Sequence, residues 1–440
     1  MNSFNVLVDR RRFLKSSGMA AAATALPAWF LAREEAAAAE PKPLSPNDRP
    51  GIALIGCGGQ GTGDCSGARR YGNVLAVCDV HRSQAEQAAS RFTAQSKEPP
   101  KIYSDFRKVM ERDDIHIIIT GTPDHWHTLV NLLAVKTGKD VYTEKPLTLT
   151  IDEGKRLVKA VKESRRIVQV GSQQRSDAKF RLACELVRNG RIGKLQRIVV
   201  GLPTGPREGP FPAQPVPEGM NWDFYLGQTP KIDYNGHNSH WNFRWWYQFS
   251  GGQMTDWGAH HNDIAQWGNG TERTGPVEVS GHSLVKMIPG GYDAAAEYYV
   301  KFRYANGVTM IVLNDEVVPN GVKFIGEKGA WIFVTRGQIE ASKPELLNDP
   351  LPDNAIRLYK SDDHMRNFFD CVRSRQQPIA EVEIGHRSIS TAHLGVLSVR
   401  LGLPLKWDPD KEEFVGENAA EGNQMLVREM RKPYDYSFIA

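Results

Sequence analysis

From residue 51 onward the chain alternates short unbroken apolar runs with longer amphipathic stretches. Ile52-Ala53-Leu54-Ile55 is apolar at four consecutive positions, as expected of a parallel strand covered on both faces. Similar runs predict buried strands at Val74 to Cys78, Ile115 to Thr120, Asp140 to Thr143 and Ile167 to Val170. Helical periodicity falls between them, over Ser83 to Thr93, His127 to Thr137 and Ile151 to Glu163. Strands and helices alternating at this spacing predict right-handed βαβ units and a doubly wound parallel sheet. From about Leu195 the texture changes, and segments such as Glu297 to Tyr304 and Val308 to Leu313 alternate in the manner of antiparallel strands with one covered face. The second half therefore reads as an α+β domain with a large, mostly antiparallel open sheet, interrupted by an irregular insert from Pro203 to Ser250.

Ahead of this pattern lies a different one. Asp9 to Lys15 reads D-R-R-R-F-L-K, followed by an alanine-rich apolar stretch from Met19 to Phe30 and by Ala36-Ala37-Ala38-Ala39. A basic segment, a short apolar segment and small residues make a secretory signal, and the apolar run is too short for a permanent membrane span. Arg10-Arg11 with Phe13-Leu14-Lys15 resembles the twin-arginine type, which exports folded chains, so a periplasmic or otherwise exported protein is expected. The alternative is an uncleaved anchor. The chain accordingly divides into a signal at 1–39, a Pro-rich linker at 40–50, a first domain at 51–170 and a second at 171–440.

Composition narrows the picture further. With 440 residues and 40% hydrophobic positions, the chain is long enough for two or three cores without staples. Loss of residues 1–39 removes five basic and three acidic side chains, so the net charge of +4 falls to +2. No basic block runs through the body, which argues against a nucleic-acid groove. The five cysteines include no CxxC pair, so neither a disulfide framework nor a zinc ribbon is expected.

The first predicted strand ends in Gly56-Cys57-Gly58-Gly59-Gln60-Gly61, and an acidic residue, Asp79, ends the next strand about 20 residues later. Together these form a Rossmann dinucleotide fingerprint. Gly56 permits the tight turn, Gly58 lets the backbone approach a pyrophosphate, and Gly61 allows close helix packing. The pyrophosphate would rest on N–H groups at the helix N-terminus, including those of Gly59 and Gln60. Asp79 accepts from ribose hydroxyls and repels a 2′-phosphate, which favours NAD over NADP. Arg82 pulls the other way, as a partner for adenine or a phosphate.

Two further turns follow predicted strands: Thr122-Pro123-Asp124-His125-Trp126-His127 and Glu144-Lys145-Pro146. Both fall at carboxyl ends of parallel strands, where open α/β sheets place their ligands. With Gly251 to Asp263, which reads G-G-Q-M-T-D-W-G-A-H-H-N-D, the chain resembles the Gfo/Idh/MocA family of sugar and cyclitol oxidoreductases over nearly all of its length after the signal. The resemblance implies that Lys145 of E-K-P and His260 of D-x-x-x-H act on the substrate, with Asp256 as their carboxylate partner. It also implies that Thr122, Pro123, His127 and Glu144 lie against the cofactor, and that the protein is a homodimer or homotetramer. Arg175 is carried over more weakly, because Gln173 and Gln174 stand where the family commonly has asparagine and arginine.

Elementary chemistry supports the same residues. Redox chemistry at a secondary alcohol needs one group that takes the hydroxyl proton and donors that stabilise the oxygen left behind. His260 suits the acid/base role and Lys145 the orienting role, although their division stays open in the sequence. Asp256 and His260 are four apart and would share a helical face. His260, His261 and Asp263 could instead hold a metal, but no third and fourth ligand stands in register, so no metal is assigned. His261 is either a second substrate contact or a core histidine. In the insert, Trp222, Trp241, Trp245, Trp246 and Tyr247 with Arg244 suit a carbohydrate or polyol, of which Arg244 and Trp245 are the candidate contacts; the competing reading has the tryptophans filling the core beneath a long loop.

Export adds a condition. Soluble NAD is not available outside the cytoplasm, so a folded chain that carries its dinucleotide across, and regenerates it in place, is expected. Oxidation of one sugar coupled to reduction of another satisfies this; so does a redox-neutral glycosidase or epimerase working through a ketosugar. A catalytically silent NAD-bound carbohydrate module is the reading from outside enzymology.

Overall fold

The computed structural model describes residues 21–23, 26–36, 49–93 and 98–440. The Asp9 to Lys15 segment and most of the linker lie outside these residues.

The first sheet contains β1 (Gly51–Ile55), β2 (Asn73–Cys78), β3 (Lys101–Tyr103), β4 (Ile117–Thr120), β5 (Asp140–Thr143) and β6 (Val168–Val170). All pairs are parallel, in the order β3-β2-β1-β4-β5-β6. The order reverses between β1 and β4, which opens a crevice beyond their carboxyl ends. Every residue of β1, β4 and β5 is buried, which is why these runs show no polar alternation. The helix Gly59–Ala68 approaches this sheet through two glycines. A Cβ on Gly61 would lie 2.3 Å from Gly56 O, and one on Gly121 would lie 2.4 Å from Gly61 Cα.

The second sheet contains β7 (Arg197–Leu202), β8 (Glu278–Ser283), β9 (Tyr298–Arg303), β10 (Thr309–Asn314), β11 (Gly321–Ile325), β12 (Trp331–Thr335), β13 (Gln338–Ala341), β14 (Leu405–Asp408) and β15 (Glu413–Val415). These run β13-β12-β11-β7-β10-β9-β8-β14-β15, and β7 with β10 is the parallel pair in an otherwise antiparallel sheet. The strand Ala21–Ala23 adds to the β13 edge. Helices Gly258–Asn269 and Val382–Leu401 cover one face, over Val200, Val300, Phe302 and Val312. The opposite face carries a small apolar cluster of Val199, Leu313 and Val318, with Tyr299 and Ile311 against it.

Two elements cross the expected domain division. The helix His364–Ser374 returns to the first sheet, where Met365, Phe368 and Phe369 join the core of Leu54, Ile117 and Ile119. The helix Ala28–Ala36, expected within the discarded signal, docks on the second domain and buries Phe30. Among the described residues no helix is long and apolar enough to cross a membrane. All five cysteines are free and buried.

Arg175 fixes the turn that follows the first sheet onto the helix layer of the second. It leaves the short turn after β6, and its Nε and Nη2 donate to Asp263 Oδ2 and Oδ1, each at 2.7 Å, inside the helix Gly258–Asn269. The side chains are 2% and 1% exposed, Ser388 Oγ donates to the same carboxylate, and the guanidinium lies 4.9 Å from the Trp267 ring. A buried pair of this kind is worth little against an apolar replacement, but breaking one half leaves an uncompensated charge. Asp263→Ala is therefore expected to lower the unfolding free energy by about 3–5 kcal/mol in chemical denaturation, with Arg175→Met/Asp263→Leu restoring most of the loss. An unchanged stability of Asp263→Ala would contradict this role.

Candidate active site

The fingerprint residues converge at the mouth of the crevice. Gly56 has φ +87, and a Cβ on it would meet the backbone of Thr122 and Gly121 at 2.5 and 2.6 Å. By contrast a Cβ on Gly58 or Gly59 would meet nothing within 4 Å, so the turn and the N-terminus of helix Gly59–Ala68 face open space. This is the fit a dinucleotide pyrophosphate requires. Asp79 stands at the end of β2, where Oδ2 accepts from Cys57 N at 2.7 Å and Oδ1 from His81 N at 2.8 Å. Each carboxylate oxygen retains a lone pair for a ribose hydroxyl. Burial raises this carboxyl above its ordinary value against the opposing pull of the two N–H groups. Arg82, by contrast, is exposed and turned onto Glu86 at 2.7 Å, outside the cleft lining.

The cleft holds about 1100 Å³ and runs from Asp79 to Asp256. Its outer wall comes from the insert, through Met220, Phe224, Tyr225, His240, Trp241 and Phe243. Backbone bonds tie this wall to the first domain, Arg82 N to Gly219 O and Asn221 N to Val80 O, both at 2.9 Å. Trp126 Nε1 donates to Tyr225 O at 3.0 Å, and Tyr434 and Phe438 near the chain end pack on Trp126 and Phe224. The insert is thus a strap across the dinucleotide groove. Its tryptophans mostly serve its own packing: Trp222 Nε1 donates to Ile232 O, Trp246 Nε1 donates to His237 O, and Trp245 is buried outside the cleft lining. Trp241 is the exception, 66% exposed at the cleft mouth.

At the inner end, Lys145 Nζ lies 2.5 Å from Asp256 Oδ1. Arg244 Nε lies 3.3 Å from the same oxygen, buried and without an aligned hydrogen bond. Burial alone would raise the Asp256 carboxyl; Lys145 and Arg244 outweigh it and hold it below the usual carboxylate range. His260 lines the same wall, with Nδ1 buried and unpartnered. Burial, then the charge of Lys145, hold its pKa well below the ordinary histidine value, so the imidazole is neutral and able to accept a proton. Asp256 and His260 are not on one continuous helix as expected. Trp257 ends the turn Gln253–Asp256 and caps Gly258–Asn269, yet both side chains still reach the cleft.

Several residues act through others. Glu144 Oε1 accepts from Gln173 Nε2 at 2.9 Å and Oε2 from Lys145 N at 3.2 Å, which explains the glutamine after β6. Burial raises the Glu144 carboxyl, and burial with the neighbouring Glu144 charge pushes Asp64 up to about 9. Both shifts run toward the protonated form beside the glycine turn, where two full negative charges would repel a pyrophosphate. His127 Nδ1 lies 2.6 Å from Pro146 O and Nε2 2.9 Å from Thr122 O, between the two turns and behind the cleft; burial holds it at about 4, so the single N–H of the neutral ring donates to one of the two carbonyls. His261 Nε2 bonds Asn320 Oδ1 at 2.8 Å within the core.

Of the expected residues, Gly56, Gly58, Gly59, Gln60, Asp79, Thr122, Pro123, Glu144, Lys145, Arg244, Asp256 and His260 line the cleft. Gly61, Arg82, His127, Arg175, Trp245 and His261 do not. Arg175 is held by Asp263, so neither is free for a substrate or a metal, and among the described residues no metal-holding group of His, Cys, Asp and Glu is present. Sequence reasoning passed over Asp64, Asp124 and Arg336. Asp124 was legible as the third residue of T-P-D; Ser250 Oγ donates to it at 2.5 Å, and burial lifts its carboxyl to about 7. Arg336 sits in the β12–β13 hairpin, 4.5 Å from the Trp257 ring, and no local motif marks it.

Comparison with known proteins agrees with this geometry. Residues 51–172 match the model of an oxidoreductase family NAD-binding Rossmann fold, residues 207–436 that of the family's C-terminal alpha/beta domain, and residues 7–27 a twin-arginine translocation pathway signal sequence. The chain is 26% identical to scyllo-inositol 2-dehydrogenase (NAD(+)) of Bacillus subtilis over 76% of this chain and 89% of that protein. It is also 26% identical to an alpha-N-acetylgalactosaminidase of Shewanella oneidensis, where the match spans 43% of this chain and 44% of the relative, less than half of its length. Among solved structures, the WlbA dehydrogenase of Bordetella pertussis, in complex with NADH and UDP-GlcNAcA, shares the fold at a TM-score of 0.60 and 17% identity, over 82% of this chain and 99% of that one. With both of its domain models matched, the chain belongs to the Gfo/Idh/MocA family of oxidoreductases, whose first domain binds NAD.

Proposed function

We propose that the protein acts on a secondary hydroxyl of a sugar, cyclitol or glycoside, outside the cytoplasm, with a dinucleotide that it keeps. The observation that carries this reading is the convergence of Lys145, Asp256 and neutral His260 at the inner end of a cleft whose outer end is a dinucleotide cradle. NAD, when bound, supplies the redox step. The chain supplies the rest. Lys145, fixed by Asp256, directs its remaining N–H groups to the reacting oxygen and stabilises the charge that develops there. His260 takes the hydroxyl proton and returns it in the reverse direction. Arg244 and Trp241 orient the remainder of the carbohydrate at the cleft mouth, and the strap excludes water from the groove.

Retention is supported by that strap, and it suits a signal that exports folded chains, with the periplasm as the proposed destination. Self-association through the outer face of the second sheet forms part of the proposal. The similarity to an alpha-N-acetylgalactosaminidase favours a second reading, in which oxidation, bond cleavage or epimerisation and re-reduction follow one another on the same sugar with no net redox change.

His260→Ala is expected to lower kcat by roughly 10²–10⁴-fold and Lys145→Met by about 10²–10³-fold, while both variants and the native protein copurify with dinucleotide seen by absorbance and mass. Native protein that carries none and works only with millimolar added NAD would overturn retention; unimpaired variants would overturn the catalytic assignment. The pH profile gives a second test. Because burial and the charge of Lys145 depress His260, it should add no limb to the kcat/KM profile of hydroxyl oxidation between neutrality and pH 6.5, where the Asp124 carboxyl at about 7 titrates; a half-loss near pH 6.5 that persists in Asp124→Asn would mean an unperturbed base.

A further inference from the structure

The helix Ala28–Ala36 is held by the second domain as a structural part. Phe30 is 1% exposed, with the Arg181 guanidinium 5.0 Å from its ring centroid. Trp29 Nε1 donates to Leu347 O at 3.0 Å. Glu34 Oε2 lies 2.7 Å from Arg181 Nη2 and 3.0 Å from Lys360 Nζ, and Lys360 Nζ also donates to Glu34 O. Arg181 is itself 5% exposed; its other carboxylate, Glu185, is 3.5 Å away and shared with Arg357 at the same distance. Without this helix a buried guanidinium would lose its closest counter-charge and a phenylalanine-sized hole would open.

Order of events sharpens the point. A twin-arginine signal passes a chain that has already folded, so the helix is docked before any membrane peptidase meets the signal. A cut after Ala39, at the end of the Ala36 to Ala39 run, would sever a segment that the fold retains. The signal match instead ends at residue 27, and inside it Ala23-Thr24-Ala25 is a small-x-small triplet directly before Leu26-Pro27. Pro27 O accepts from Phe30 N at 3.0 Å and Leu31 N at 3.1 Å, so the helix is already closed at its start without anything upstream. What such a cut would remove from the described fold is the three-residue edge strand Ala21–Ala23.

We propose that a signal peptidase hydrolyses the Ala25–Leu26 peptide bond, water supplying the new carboxylate and amine, and that Leu26–Ala36 remains in the mature protein as a clasp on Arg181. The full chain, expressed with its own signal in a host with twin-arginine export and recovered from the exported fraction, is read by intact mass and N-terminal sequencing. A chain beginning at Leu26 is expected; one beginning at Glu40, or an uncut chain, overturns the proposal. The clasp is tested separately in the exported protein by Phe30→Ala, which is expected to lower the melting temperature by several degrees and speed proteolytic loss of the first residues. If Phe30→Ala is not exported, Glu34→Gln should show a smaller shift in the same direction, and no shift in either variant contradicts a structural clasp.

Discussion

One buried carboxylate organises this molecule. Asp256 comes from the second domain, Lys145 from the turn after β5 in the first, and Arg244 from the insert, so a single oxygen gathers three separate elements at the crevice. One carboxylate cannot satisfy both cations, and Lys145 keeps donors beyond the one it gives Asp256, while Arg244 also donates to Trp241 O. The same cations hold Asp256 ionised despite its burial, and the charge of Lys145 helps keep His260 neutral. The orienting donor and the proton acceptor of the proposed reaction would thus both depend on the placement of one ion pair.

The strap gives that pair its setting. Its wall crosses the dinucleotide groove and is tied to Val80, Arg82 and Trp126, with the chain end packed on its outer side. A cofactor beneath it can be enclosed before export, and a protein that leaves the cytoplasm folded has no later supply. The glycine turn is adapted on its side as well: Gly58 and Gly59 leave open space, and burial raises the carboxyls of Asp64 and Glu144 beside it. Enclosure and electrostatics therefore favour the same bound anion.

Much of this could be read from residue order, because the dominant signals are local. Unbroken apolar runs mark strands buried on both faces, and turns such as Gly56 to Gly61 and Glu144-Lys145-Pro146 carry their chemistry within a few positions. Arg82 was lost to a neighbour four residues on, Glu86, but the other failures described below are long-range. Arg175 was indistinguishable from a substrate contact until Asp263, 88 residues away, took both of its donors. The tryptophans of the insert looked like a sugar platform, but Trp222 and Trp246 close on carbonyls of the insert itself, and Arg336 reaches the cleft from a hairpin with no motif. The docking of helix Ala28–Ala36 was equally hidden, since nothing in its sequence sets it apart from the apolar stretch before it until Phe30 is seen in a core.

In the proposed reaction the paired Lys145 and Asp256 and the neutral His260 run redox chemistry on a carbohydrate with a dinucleotide that stays in place. The most direct measurement is the fluorescence of the bound nicotinamide while purified exported protein, with no added cofactor, meets a panel of sugars, cyclitols and glycosides. The account predicts that at least one of them switches the bound cofactor between its oxidised and reduced forms. A bound dinucleotide that stays unchanged with every member of the panel would contradict it and leave a carbohydrate-binding module in place of an enzyme.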